Sequence, residues 1–172
     1  MDQFEIGDKI IYPNQGMGVI EDIQNQNFFG IESKIYYVRI ISNNTLVMVP
    51  SRNAEEMGIR KPVSMDSVEK IFDFIEKREV DLSMNWKGRY KEHLDLMKSG
   101  SLLDMALVLK SLFYLNQSKP LSFREKKMMD KAKNLITSEI SEVLGSPFGV
   151  VERKIMETLS NCFKQSKSKW DS

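Results

Sequence analysis

Two hydrophobic periods divide this chain. Up to about residue 60, apolar positions come in short, β-branched or alternating runs. Lys9–Tyr12 is one such run, and Met17–Ile23 alternates with Val19, Glu21 and Ile23 on one side. Lys34–Ile41 is rich in Ile, Tyr and Val, which suit a pleated surface, and Thr45–Pro50 follows the turn signal Ser42-Asn43-Asn44. Pro13–Gly16 and Asn25–Gly30 read as turns. Four or five short strands with tight turns predict a small antiparallel barrel that closes its own edges. Gly16 and Gly18 fall where a strand begins. No helix follows to supply amide donors, so they are read as relieving backbone strain rather than cradling phosphate.

After Pro62 the period becomes helical. Val68, Ile71, Phe72 and Ile75 recur behind Ser64 and Ser67. The stretch 78–85 breaks the pattern, and a second helix starts at Asn85 and stops at Ser99-Gly100. Ser101 opens a third, apolar on most faces, as expected of the central helix of a bundle. Ser122 and Glu125 make a capping box for a fourth, running to Gly145. Ser146-Pro147 is the expected N-cap and first helical residue of a fifth, with Val151, Ile155, Leu159 and Phe163 inward and a frayed tail from Lys164. The predicted class is α+β in two domains: a small antiparallel β barrel over 1–62, then a five-helix bundle over 63–172. Its helices are expected near 64–79, 85–99, 101–117, 122–144 and 146–166.

Composition narrows the function. The chain is 41% hydrophobic and 28% charged, enough for a core and a solvated surface. No apolar run is long enough to span a bilayer, and the acidic start lacks the basic region of a signal peptide. One cysteine, Cys162, fits a reducing cytosol, and one histidine, His93, argues against a zinc site or a His-based catalytic set. No phosphate-binding loop, nucleophile elbow or Cys-x-x-Cys is present, so neither an enzyme nor a cofactor is expected.

The net charge of +1 conceals an uneven distribution: −2 over 1–64, −3 over 65–83, +6 over 84–133 and zero over 134–172. A basic section is either a solvated helical face or a phosphate-facing patch. The stretch Asn85-Trp86-Lys87-Gly88-Arg89-Tyr90-Lys91 sharpens the choice. Trp86, Tyr90, Leu94 and Met97 share one helical stripe, which reads Trp86 as core; its place in the first turn reads it as exposed. Cations at a helix start oppose the macrodipole, and the fourth helix repeats this with Arg124, Lys126, Lys127, Lys131 and Lys133 in its first half.

Four segments in order resemble the CarD/CdnL family of bacterial RNA-polymerase-binding transcription regulators. They are Gly7–Ile23, Val49–Arg60, the Asn85–Lys91 stretch and Leu121–Ile136, so the resemblance covers nearly the whole chain. It implies a Tudor-like (SH3-like) N-terminal domain that binds the polymerase β subunit. It further implies a helical domain that reaches promoter DNA at the upstream edge of the melted bubble, without sequence specificity and through the minor groove. Carried over by motif, the DNA-facing residues are Trp86 as a wedge, with Lys87, Arg89, Lys91, Lys126 and Lys131 on phosphates. The polymerase-facing residues are Gln26, Met48 and Pro50. Some members carry arginine where this chain has Gln26, Met48 and Gly88, which implies a retuned polymerase interface and Lys87 in place of one phosphate contact. The resemblance implies a monomer in the bacterial cytoplasm, nucleoid-associated through polymerase, with no membrane partner. A protein adaptor that binds polymerase but uses its helical domain on another protein is the competing expectation.

Overall fold

The computed structural model describes residues 3–82 and 85–170, with side chains described up to 167. The chain separates into two compact units, Met1–Pro62 and Val63–Ser172. The first is a four-stranded antiparallel sheet in the order β1 (Lys9–Tyr12), β2 (Gly16–Phe28), β3 (Ile31–Ile40) and β4 (Leu46–Pro50). It forms an open half-barrel. The outer edge of β1 is met by a single bridge, Ile11 to Arg60, which supplies the partial fifth strand.

Ile10, Ile20, Tyr36, Val38, Ile40 and Val49 fill the inner face, closed by Phe4 edge-on to Tyr36. The alternation expected in β2 is broken. A bulge between Ile20 and Asp22 inserts Glu21 without a partner. Ile20 and Ile23, three residues apart, therefore both pack against the inner core, while Glu21 is exposed. The predicted grouping of Val19, Glu21 and Ile23 on one side is corrected accordingly. Gly18 sits opposite Ile40, and a Cβ there would come within 2.7 Å of the Val38 side chain. Only a glycine lets the two strands approach so closely.

The turn expected over Asn25–Gly30 is shorter than predicted. β2 continues through Phe28, and the reversal uses only Phe29 and Gly30, with φ of 53° and 81°. Both lie in the left-handed region that a tight hairpin requires.

The second unit contains α1 (Met65–Lys77), α2 (Trp86–Lys98), α3 (Leu102–Ser118), α4 (Phe123–Leu144) and α5 (Phe148–Trp170). Four of the starts are set by side-chain caps: Ser64, Asn85, Ser101 and Ser122 each accept the backbone N–H three residues on. The α4 stop is Gly145 at φ 65°. The start of α5 is shifted by one: Pro147 O receives the first helical bonds, so Pro147 and not Ser146 holds the cap position. The expected frayed tail is helical as far as Trp170. Ser83 and Met84, in the predicted break, lie outside the described residues, as does the Trp170 side chain.

As predicted, α3 is the central helix; its residues from Val108 to Leu115 are buried on every side. Among them is Lys110, whose ammonium donates to Ile75 O in the last turn of α1 and lies 5.4 Å from the Tyr114 ring centroid. A cation on an orphan carbonyl at a helix C-terminus satisfies both groups. Burial lowers the Lys110 pKa, and burial raises that of the neighbouring thiol, Cys162. Val151, Ile155 and Leu159 of α5 face this core as expected, and Phe163 meets Tyr114 edge-on.

Candidate nucleic-acid interface

The starts of α2 and α4 are held together by a buried ion pair. Arg89 Nε donates to Glu125 Oε2 at 2.9 Å, and Nη2 donates to Oε1 at 3.2 Å. Arg89 is 6% exposed and Glu125 3%. Such a two-pronged pair fixes orientation as well as distance. It corrects the assignment of Arg89 as a DNA-facing residue, because its guanidinium is turned into the bundle and spent on Glu125. The capping box is altered by the same contact. Ser122 Oγ caps Glu125 N at 3.2 Å, but the Glu125 carboxylate goes to Arg89 and to the Ser122 hydroxyl.

The inward side of α2 runs through Arg89, His93 and Met97, at i, i+4 and i+8. The predicted stripe was centred one residue too far round: Met97 is buried, but Tyr90 and Leu94 are only half-buried against the core. His93 Nδ1 is buried and has no hydrogen-bond partner among the described residues. Its pKa is lowered by burial first and then by the Arg89 charge, with Glu125 opposing.

Trp86 is the first residue of α2 and is 53% exposed. At that position the helix has begun but the core has not, so the indole overhangs the end of the bundle. Asn85 sets this placement, accepting Gly88 N through Oδ1 at 3.0 Å. Lys87 and Lys91, at i and i+4, are exposed on the side away from Arg89, and the first turn of α2 contains no acid. On α4, Lys126 and Lys131 are both exposed. Five residues put them about 140° apart around a helix, so they do not share one stripe. The stripe that contains Lys131 instead runs Phe123, Lys127, Lys131, and Lys127 Nζ lies 4.6 Å from the Phe123 ring centroid. In the sequence Lys127 is one of five cations in the first half of α4 with nothing to single it out, and Phe123 carries no signal of its own.

In the β unit, Gln26, Met48 and Pro50 fall on one face, the outer side of the sheet. Gln26 Nε2 donates to Tyr37 Oη at 2.8 Å, and Tyr37 stands opposite Met48 in the β3–β4 register. Met48 is 63% exposed, while Pro50, opposite Ile35, is half-buried. Arg39 and Glu21 pair at 3.0 Å at the end of this face. The order of strands is such that Tyr37, unselected from sequence, occupies its middle.

Both units match known families. Residues 4–63 match the family described as CarD-like/TRCF RID domain, and residues 70–159 match CarD, C-terminal domain. The chain belongs to the CarD family. It is similar to the Bacillus subtilis (strain 168) protein named "Putative transcription factor YdeB", with 32% identity over 142 residues covering 83% of this chain and 93% of that protein. The CarD-like proteins are transcription regulators that interact with RNA polymerase, not enzymes. Among the described residues no helix is long and apolar enough to cross a membrane.

Proposed function

We propose that this CarD-family chain binds the RNA polymerase β subunit through residues 1–62 and steadies the promoter open complex through residues 63–172. It acts as a monomer, in the bacterial cytoplasm and on the nucleoid through polymerase. Trp86 enters the minor groove at the upstream fork, and Lys87, Lys91, Lys126 and Lys131 meet backbone phosphates. Gln26, Met48 and Pro50 lie on the polymerase-facing side of the sheet.

The observation that carries the reading is the half-exposed indole of Trp86, overhanging a helix start that has lysines and no acid. An aromatic ring inserted at a partly unstacked step needs only degenerate readout. A chain with net charge +1 would hold free DNA weakly, but tethering to polymerase makes the contact intramolecular.

The test is open-complex lifetime under competitor challenge. Trp86→Ala is expected to shorten it by about tenfold while the free protein melts as before, because stacking by one ring is worth about 1–3 kcal/mol. The double variant Lys126→Gln/Lys131→Gln separates the adaptor reading, which predicts unchanged promoter occupancy.

A further inference from the structure

We propose that Phe123 is a second aromatic DNA contact, packing its ring on an unpaired base at the melted edge of the promoter. The inference rests on the DNA-contacting role of the helical unit proposed above.

Phe123 is the first residue of α4 and is 71% exposed. The ring lies outside the hydrophobic core of the bundle, and the start of α4 is capped without it, by Ser122 on Glu125 N. The ring is instead covered on one side by the Lys127 ammonium, with Lys131 further along the same stripe. Arg124, Lys126, Lys127 and Lys131 are all exposed around it. The acid of this turn, Glu125, is withdrawn into its pair with Arg89, leaving Asp130 as the exposed acid between residues 123 and 131. A flat apolar ring within a cationic surface suits a polyanion that also has π faces to offer. An acidic protein segment would supply the charge but not the face. Paired bases are already stacked inside the duplex, so the fitting occupant is a base freed by melting.

The position of the ring supports the same occupant. Arg89 lies one turn into α2 and Glu125 lies in the first turn of α4, so their 2.9 Å contact sets both helix starts at one end of the bundle. Trp86 and Phe123 therefore occupy equivalent places: each is the first residue of its helix, exposed, and followed closely by lysine. One ring alone wedges a fork; two rings with interleaved cations also hold the separated strand.

The experiment uses the full chain with cognate polymerase and a promoter carrying 2-aminopurine at the unpaired upstream edge. Phe123→Ala is expected to shorten open-complex lifetime about tenfold and to unquench the probe, and Phe123→Tyr to restore both. Lysine loss has a different signature. Lys127→Gln should reduce the salt slope of binding by about one, whereas Phe123→Ala should leave the slope unchanged. Melting of the free protein should be the same for wild type and Phe123→Ala. The proposal is overturned if Phe123→Ala leaves lifetime unchanged while Trp86→Ala shortens it, or if it weakens fully paired upstream DNA equally. If neither Trp86→Ala nor the Lys126/Lys131 variant alters lifetime, the underlying DNA-contacting role fails instead.

Discussion

The start of α3 and the start of α2 use the same cap and opposite charge. Ser101 accepts Asp104 N at 3.4 Å, and Asn85 accepts Gly88 N at 3.0 Å. The first turn of α3 adds Asp104, which suits the positive end of the helix dipole and also receives the Ser99 hydroxyl at 2.7 Å. That of α2 adds Lys87 and no acid, and α4 adds Arg124, Lys126 and Lys127 while burying its one acid. Since α3 and α1 form without cations at their starts, the cations of α2 and α4 are surplus to helix formation. The promoter phosphates proposed above would give these charges a role that helix formation does not require.

The strongest way to break this comparison is at Arg89–Glu125, the buried pair that joins the starts of α2 and α4. Removing one partner leaves a buried charge, so Arg89→Ala or Glu125→Ala should cost about 3–5 kcal/mol in denaturant unfolding of the helical unit. Replacing both, as in Arg89→Met/Glu125→Leu, should recover most of that loss. If the single variants cost no more than a surface substitution, the two helix starts are not clamped.

Caps come next. Asn85→Ala and Ser101→Ala should each cost about 1 kcal/mol of stability. Only Asn85→Ala should also shorten open-complex lifetime, because it loosens the turn that carries Trp86. Equal functional losses would remove the distinction between the two helix starts.

Charge reversal is smaller and differs in sign. Lys87→Glu should stabilise the free protein by about 0.3–1 kcal/mol, and Asp104→Lys should destabilise it at least as much. Lys87→Glu should nonetheless weaken promoter binding. A variant that is both less stable and fully functional would contradict the idea that Lys87 is surplus to folding.

The smallest effect concerns pH. The folded-state pKa of His93 is lowered, so the unfolded chain takes up a proton first. Stability is full above the ordinary histidine value of about 6.5 and declines as pH falls below it toward the folded value. His93→Gln should flatten that decline in thermal melts between about pH 7.5 and 5. An unchanged slope would assign the acid loss to other groups.

Local chemistry was legible in the sequence where it acts over three or four residues. Asn85 and Ser122 are legible as caps because a cap and its N–H lie within one turn, and Ser64 and Ser101, which cap α1 and α3, stand in the sequence only as the residues ahead of an apolar run. Arg89 was misplaced because its partner lies 36 residues away and a guanidinium has the same pattern signature whether solvated or buried. The bulge at Glu21 was missed since one extra residue inverts every later position without altering composition. The polar run Gln24–Asn27 concealed the end of β2, where pairing with β3 and not residue type maintains the strand. Phe123 was overlooked because an apolar residue beside a cap is ordinarily a packing residue; only its exposure sets it apart.

The single thiol has a practical consequence for all these experiments. Cys162 is buried on α5 and its pKa is raised, so little reactive thiolate is present at neutral pH. A cysteine introduced at exposed Glu92 or Asp130 would therefore react with a maleimide dye far faster than the native one. Such a variant can be labelled at one chosen place without first removing Cys162, and the proposed approach of α2 or α4 to promoter DNA followed in real time as a distance between two dyes.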